Sequence, residues 1–547
     1  MSSGIPTSAG ELRNSLKLAD AAIRRGDGKS ATRIASDAVR RGHEHPVLLT
    51  LAAYFELNAR RPQDALVLAQ RARTLEPRNV DTLQALATIL GALGRNSEAI
   101  AVCEQALRLA PGVTSLRYNC GRLMEDMGEM ERARRDYERV VDAVPNHGPA
   151  LSRLAAIAAI AGQSSTARNY AQRALRANPK EMAARIALAQ ADLQDGNLDA
   201  VMAAMKPLAD DANAHAFNRS IAQGLVADVL DARGEYAQAF EAYQACNRSM
   251  MKQFAPVHAA PGAEPALERA RRTAAFLSDA RAEDWCGEAQ YAGPASTHVF
   301  LLGFPRSGTT LLEQVLGSNS AIETMEERDA LIEIERDFFL RENRLGDLFR
   351  LSGDDLDRYR QSYWKIVHDR GVALDRPVFI DKMPLNSLLL PAIAKLFPQA
   401  RILLAVRDPR DVVLSSFKRR FGMSDKMYEL LSLSRAADFY AAAMQICDLA
   451  QNALPMPFRV TRYEDLVRDF EREAGAICEF LGVEYDPAMK NFSERARSHR
   501  VNTPSATQVR QDLYTQGMDQ WRVYRDQMAP VLPVLAPWVR KFGYAEE

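Results

Sequence analysis

The chain has 547 residues, with 70 Lys and Arg against 70 Asp and Glu, so the charge balance gives no support to a nucleic-acid binder or a polybasic membrane anchor. That length exceeds what one hydrophobic core can organise and points to at least two folded units. Six cysteines (Cys103, Cys120, Cys246, Cys286, Cys447 and Cys478) lie without a C-x-x-C pair, which argues against a zinc knuckle or a disulfide framework and fits a reducing compartment.

The opening stretch MSSGIPTSAGELRNSLKLAD shows no charged leader followed by an apolar run, and no segment reaches about 18 uninterrupted apolar residues. The expectation is a soluble, cytoplasmic protein without a membrane span. From there, three marks recur every 34 residues: Pro77, Pro111, Pro145 and Pro179; Gly94, Gly128, Gly162 and Gly196; Ala65, Ala99, Ala133 and Ala167. Small residues at Ala53, Ala87, Gly121, Ala155 and Ala189 keep the same spacing. Glycine ends a helix in a left-handed conformation, alanine lets a second helix approach closely, and proline stops the unit. The period resembles the tetratricopeptide repeat, a helix–turn–helix unit, and a weaker unit near Gly26 and a shifted one carrying Ala227, Gly234, Ala239 and Tyr243 bring the total to roughly seven over residues 12–253. Such a stack offers a concave surface to a peptide or protein ligand. Residues 254–296, with Pro256, Pro261, Pro265 and Pro294 around a short helical pattern near Leu267–Ala282, read as a linker.

Beyond residue 296 the pattern changes to short apolar runs, Val299–Gly303, Val378–Ile380, Ile402–Val406 and Phe458–Val460, separated by helical stretches. This is the signature of an α/β domain with a parallel sheet, in which ligands collect at the carboxyl ends of strands. The first run is followed by Gly303-Phe-Pro-Arg-Ser-Gly-Thr-Thr310 and an apolar helix start. The spacing imitates the P-loop G-x4-G-K-[ST], yet Thr309 stands where the lysine of a nucleotide triphosphatase is required, which disfavours a kinase. The third run leads into Arg407-Asp-Pro-Arg-Asp-Val-Val-Leu-Ser415, with Ser415 and Arg419 four residues apart and so expected on one helix face.

Pro305–Thr310 resembles, without a gap, the 5′-phosphosulfate loop P-R-S-G-T-T of sulfotransferases that use 3′-phosphoadenosine-5′-phosphosulfate (PAPS), and residues 407–415 resemble their 3′-phosphate motif. The resemblance is to the tyrosylprotein sulfotransferase-like branch and covers about residues 297–545. It implies an N-terminal all-α repeat solenoid joined to a sulfotransferase fold, and a sulfuryl transfer that needs no metal. The resemblance assigns donor contacts to Arg306, Ser307, Gly308, Thr309, Thr310, Arg407, Ser415, Arg419 and Tyr463, the last within Thr461–Leu466 near the adenine side. Catalysis falls to Glu327 as base, with Glu326 the adjacent alternative, to Lys382 against the bridging oxygen, and to Ser505 in a segment Ser505-Ala-Thr-Gln-Val509 that covers the donor. The pattern departs at Gln520, where the branch has a lysine before the tryptophan; Arg510 and Arg522 are the candidates to replace that charge. His368, on an amphipathic stretch, is expected at the surface. The acceptor is a hydroxyl of a peptide, glycan or small molecule, a protein tyrosine among them. The competing expectation is a repeat scaffold whose α/β half no longer catalyses.

Overall fold

A computed structural model describes residues 9–126, 129–259, 262–280, 285, 291, 293–498 and 517–546. The chain divides into two compact units, Met1–Asn197 and Leu198–Glu547.

The first unit is a solenoid of helical pairs running from Ala9–Arg24 to Met182–Gln194. The 34-residue marks explain its packing. Ala65, Ala99, Ala133 and Ala167 have no exposed surface, so each second helix approaches its neighbour closely. At Gly121 an added Cβ would lie 2.9 Å from the Tyr137 ring, a distance only glycine tolerates. Gly94 and Gly162 turn the chain with φ of 70° and 73°, in the left-handed region. Leu83, Leu86 and Leu90 of one first helix, and Leu151 and Leu154 of a later one, supply a core that runs from repeat to repeat.

The second unit opens with α1 (Leu198–Asp210), α2 (Ala216–Ala232) and α3 (Tyr236–His258), which continue the helical-pair pattern. Within the stretch read as a linker, α4 (Ala266–Asp279) buries Leu267, Ala270, Ala274 and Leu277 in the main core of this unit. The Leu267 amide donates to Glu429 Oε1 at 3.2 Å, which ties α4 to the α/β layer.

Five strands form one parallel sheet: β1 (Thr297–Gly303), β2 (Ile322–Glu326), β3 (Val378–Lys382), β4 (Arg401–Val406) and β5 (Phe458–Arg462), in the order β2-β3-β1-β4-β5. Alternate residues of β1 serve opposite cores. Val299 and Leu301 join α5 (Thr309–Gly317) through Val315 and Leu316, while Phe300 and Leu302 join Ile393, Phe439 and Tyr440. Both faces are covered, so the central strands read as continuous apolar runs. β2 was not among the expected strands, and the reason is its edge position: only Ile322 and Met325 are buried in IETME, so no apolar run marks it. Among the described residues no helix is long and apolar enough to cross a membrane.

Candidate active site

The strand order sets β1 between β3 and β4, so the segments leaving these three strands meet at one end of the sheet. The loop after β1 is held in an unusual shape. Gly308 has φ of 92°, and a Cβ there would lie 2.6 Å from Tyr463 Cδ2, so the close approach of Tyr463 requires glycine. Arg306 also occupies the left-handed region, with φ of 75°, which is costly for a side chain of that size. The Ser307 amide donates to Phe304 O at 3.1 Å and closes the turn. Ser307, Thr309 and Thr310 are buried beneath it. The loop runs into the N-terminus of α5, whose dipole offers partial positive charge to an anion.

The segment after β4 lies against this loop. After α6 (Gly353–Asp369), α7 (Pro409–Lys418) carries Ser415. Arg306 Nε donates to Ser415 Oγ at 3.0 Å, and Ser416 Oγ donates to Pro305 O at 3.2 Å. Arg407 Nη1 reaches Arg306 O at 3.4 Å, its Nη2 donates to Gly517 O, and its guanidinium lies 5.0 Å from the Tyr463 ring centroid. Among the described residues, buried Arg407 Nε has no hydrogen-bond partner, and such a donor is a natural anchor for a phosphate oxygen. The structure thus brings Arg306, Arg407, Ser415 and Tyr463 together. Arg419 differs from expectation. The helix ends at Lys418 and Arg419 has extended backbone (φ −93°, ψ 138°), so the shared helical face with Ser415 does not exist. Burial holds the Arg419 guanidinium below its ordinary range, opposed by the nearby Asp228 carboxylate.

Lys382, the last residue of β3, is fully buried. Its Nζ lies 2.8 Å from Glu327 Oε1 and 3.1 Å from Glu313 Oε2. Burial works against the ammonium charge, but Glu313, Glu327 and Glu326 outweigh it and hold the pKa above its ordinary value. Glu313 is pushed up to about 7 by burial, with Lys382 opposing that rise. Glu327 follows β2 with φ of 30°, and its amide donates to Lys382 O at 2.8 Å, which fixes the carboxylate beside the lysine. Glu313 was not singled out from the sequence. In the run Leu311-Leu-Glu-Gln-Val-Leu316 it reads as the polar position of an amphipathic helix, and no local signal distinguishes it. Behind Lys382, Tyr363 donates to Asp381 Oδ2 at 2.9 Å and lies 2.8 Å from His298 Nε2. Burial pushes Asp381 up to about 7 and His298 down to about 3, so burial favours the neutral form of both in this dry core.

A cavity of about 320 Å³ opens from the loop past Glu327. Arg306, Thr309 and Thr310 line one end, and Ile332, Met383 and Phe421 form apolar wall. Ser505 and Arg510 lie outside the described residues. Gln520 is exposed, Arg522 pairs with Asp519 at 3.1 Å, and Trp521 is buried under Arg410 at 4.0 Å. Asp411 accepts from the Asp519 and Trp521 amides, both at 2.8 Å, and so anchors this returning segment to α7. His368 is exposed, as expected.

Residues 298–487 match the sulfotransferase family, and residues 90–157 match the tetratricopeptide repeat. An uncharacterized protein of Aquifex aeolicus (strain VF5) is 26% identical over 260 residues, which cover 45% of this chain and 33% of that protein. The chain therefore spans about a third of the length of that relative. Protein-tyrosine sulfotransferase 1 of Danio rerio is 26% identical over 268 residues, covering 45% of this chain and 72% of the relative. Among solved structures, a tetratricopeptide repeat protein from Parabacteroides merdae ATCC 43184 aligns with a TM-score of 0.35 and 16% identity over 44% of this chain and 94% of its own.

Proposed function

We propose that this chain, a tetratricopeptide repeat protein carrying a sulfotransferase-family domain, moves a sulfuryl group from PAPS to an acceptor hydroxyl, and that a peptide tyrosine, the acceptor in the Danio rerio relative's name, is the first to test. The observation that carries the reading is the convergence of three segments at the ends of adjacent strands: the anion-binding loop, the Arg407–Ser415 segment and the Lys382–Glu327 pair.

Each part has a chemical task. The loop amides, Arg306, Ser307, Thr309 and Thr310 bind the 5′-phosphosulfate, and Gly308 lets Tyr463 cover that end. Arg407, Ser415 and Arg419 take the 3′-phosphate. Glu327 accepts the proton of the acceptor hydroxyl as its oxygen bonds to sulfur. The bond from sulfur to the bridging oxygen breaks, and Lys382 stabilises the negative charge left on that oxygen. Glu313 stays beside Lys382 when Glu327 turns to the acceptor, so the ammonium keeps a counter-ion throughout. Ser505 is assigned to the covering segment by resemblance alone. The repeats recruit the acceptor or a partner protein.

The test uses full-length protein with radiolabelled PAPS and a panel of tyrosine peptides, glycans and phenols, alongside calorimetry with the desulfated nucleotide. Label transfer with nucleotide binding supports the proposal. Absence of nucleotide binding defeats it and favours a repeat scaffold.

A further inference from the structure

We propose that the helical pair α2–α3 is a working part of the donor site, with Asp228, Asp231 and Asn247 as positioning residues for the end of α7. The inference rests on the reading of Arg407, Ser415 and Arg419 as the 3′-phosphate site.

Asp228 and Asp231 are three residues apart on α2 and share a face. Asp228 Oδ2 accepts from Arg420 Nη2 at 2.5 Å and its Oδ1 from the Tyr243 hydroxyl at 2.9 Å. Asp231 Oδ2 accepts from Lys418 Nζ at 2.8 Å, and its Oδ1 accepts from the Tyr524 hydroxyl. Asn247, buried on α3, donates to Phe417 O at 3.0 Å, and the Phe240 and Phe417 ring centroids are 5.3 Å apart. A helix leaves its last carbonyls without intrahelical partners, so the Asn247 bond satisfies a group that α7 cannot satisfy itself. Gly224 makes room for this arrangement, because a Cβ there would lie 2.4 Å from Arg420 Nη1.

These contacts take hold of residues 417, 418 and 420, immediately after Ser415 and Ser416, which touch Arg306 and Pro305 O. Exposed ion pairs contribute little, but the side chains of both pairs are no more than 27% exposed. The end of α7 is therefore set from one side by the helical pair and meets the anion loop on the other. A small displacement of α7 moves Ser415 relative to Arg407, and misplacement of about 1 Å is enough to weaken a site by large factors.

The experiment is calorimetry on the full chain with two probes, adenosine 3′,5′-bisphosphate and adenosine 5′-phosphate, which differ only in the 3′-phosphate. In Asp228→Ala and in Gly224→Ala the affinity for the bisphosphate is expected to fall about tenfold while that for the monophosphate changes less than about twofold. Asp228→Glu, which keeps the carboxylate, recovers part of the loss. Unfolded protein lowers the stoichiometry and leaves the measured affinity of the folded fraction intact, so instability does not imitate the result. Equal loss for both probes, or no loss for the bisphosphate, overturns the inference. Wild-type protein that binds the two probes equally defeats the underlying donor reading instead.

Discussion

Replacement of Lys382 by methionine separates its structural and chemical roles. The ammonium is fully buried between Glu313 and Glu327, so Lys382→Met removes the cation 3.1 Å from Glu313 and leaves that carboxylate buried without its ion-pair partner. Breaking a buried pair on one side costs about 3–5 kcal/mol. The cost depends on pH in a definite direction. Glu313 is raised to about 7 even with the lysine present, and loss of the lysine raises it further. A carboxyl raised above its unfolded value is stable in its protonated form at low pH, and that contribution is lost as pH rises. Urea unfolding is therefore expected to show a larger loss in Lys382→Met at pH 8 than at pH 5.5, and Lys382→Met/Glu313→Gln should regain most of it. Turnover behaves differently, because a fixed charge on a leaving oxygen is worth about 10²–10³-fold and the second substitution does not restore it. A pH-independent stability loss would refute the assignment of Glu313 as partner. Recovered turnover in the double variant would refute the role given to Lys382.

Glu327→Gln is expected to keep desulfated-nucleotide affinity while turnover falls about 10²–10⁴-fold, read from parallel calorimetry and label transfer. Gly308→Ala places a side chain at φ 92° and 2.6 Å from Tyr463, so a loss of about 1–3 kcal/mol in unfolding free energy and weakened nucleotide binding are expected. Asp381→Asn tests the buried carboxyl behind the site. Its rise from 3.8 to about 7 corresponds to at most about 4 kcal/mol of stability, fully present below pH 4 and lost as pH rises toward 7. The asparagine variant should show a shallower fall of unfolding free energy between pH 4 and 7 than wild type, with Glu313 retaining its own share.

Local physics made much of this architecture legible from sequence. Repeat marks such as Ala99 and Gly94 are single-residue consequences of close helix contact and a left-handed turn, so period and structure coincide. Buried central strands announce themselves as apolar runs, and the turn of the glycine-rich loop after β1 is carried by Gly308. The edge strand β2 lacked such a signal, because a strand exposed on one side with only two buried residues resembles a loop. The helical face expected to be shared by Ser415 and Arg419 failed for a related reason. Four-residue spacing implies a common face only while the helix lasts, and α7 ends one residue earlier, where its last residues are bonded by Asn247, Asp231 and Asp228, all more than 150 positions away in the chain.

Glu313 marks the deeper boundary of sequence reasoning. Its chemistry comes from a lysine 69 positions later, which reaches it only because β3 pairs with β1 and both strands end beside α5. The same pairing explains why one sheet end can gather the glycine-rich loop, Arg407 and a buried cation. Parallel connectivity sends every strand's carboxyl end to the same side, and the order β3-β1-β4 makes the three relevant exits adjacent. A charge that costs several kcal/mol to bury is tolerated there because two carboxylates from different elements meet it at 2.8 and 3.1 Å. Stability alone does not call for this arrangement, since an apolar residue would fill the position at no electrostatic cost. A protonated lysine kept dry beside the glycine-rich loop is the arrangement that the proposed leaving phosphate oxygen would require.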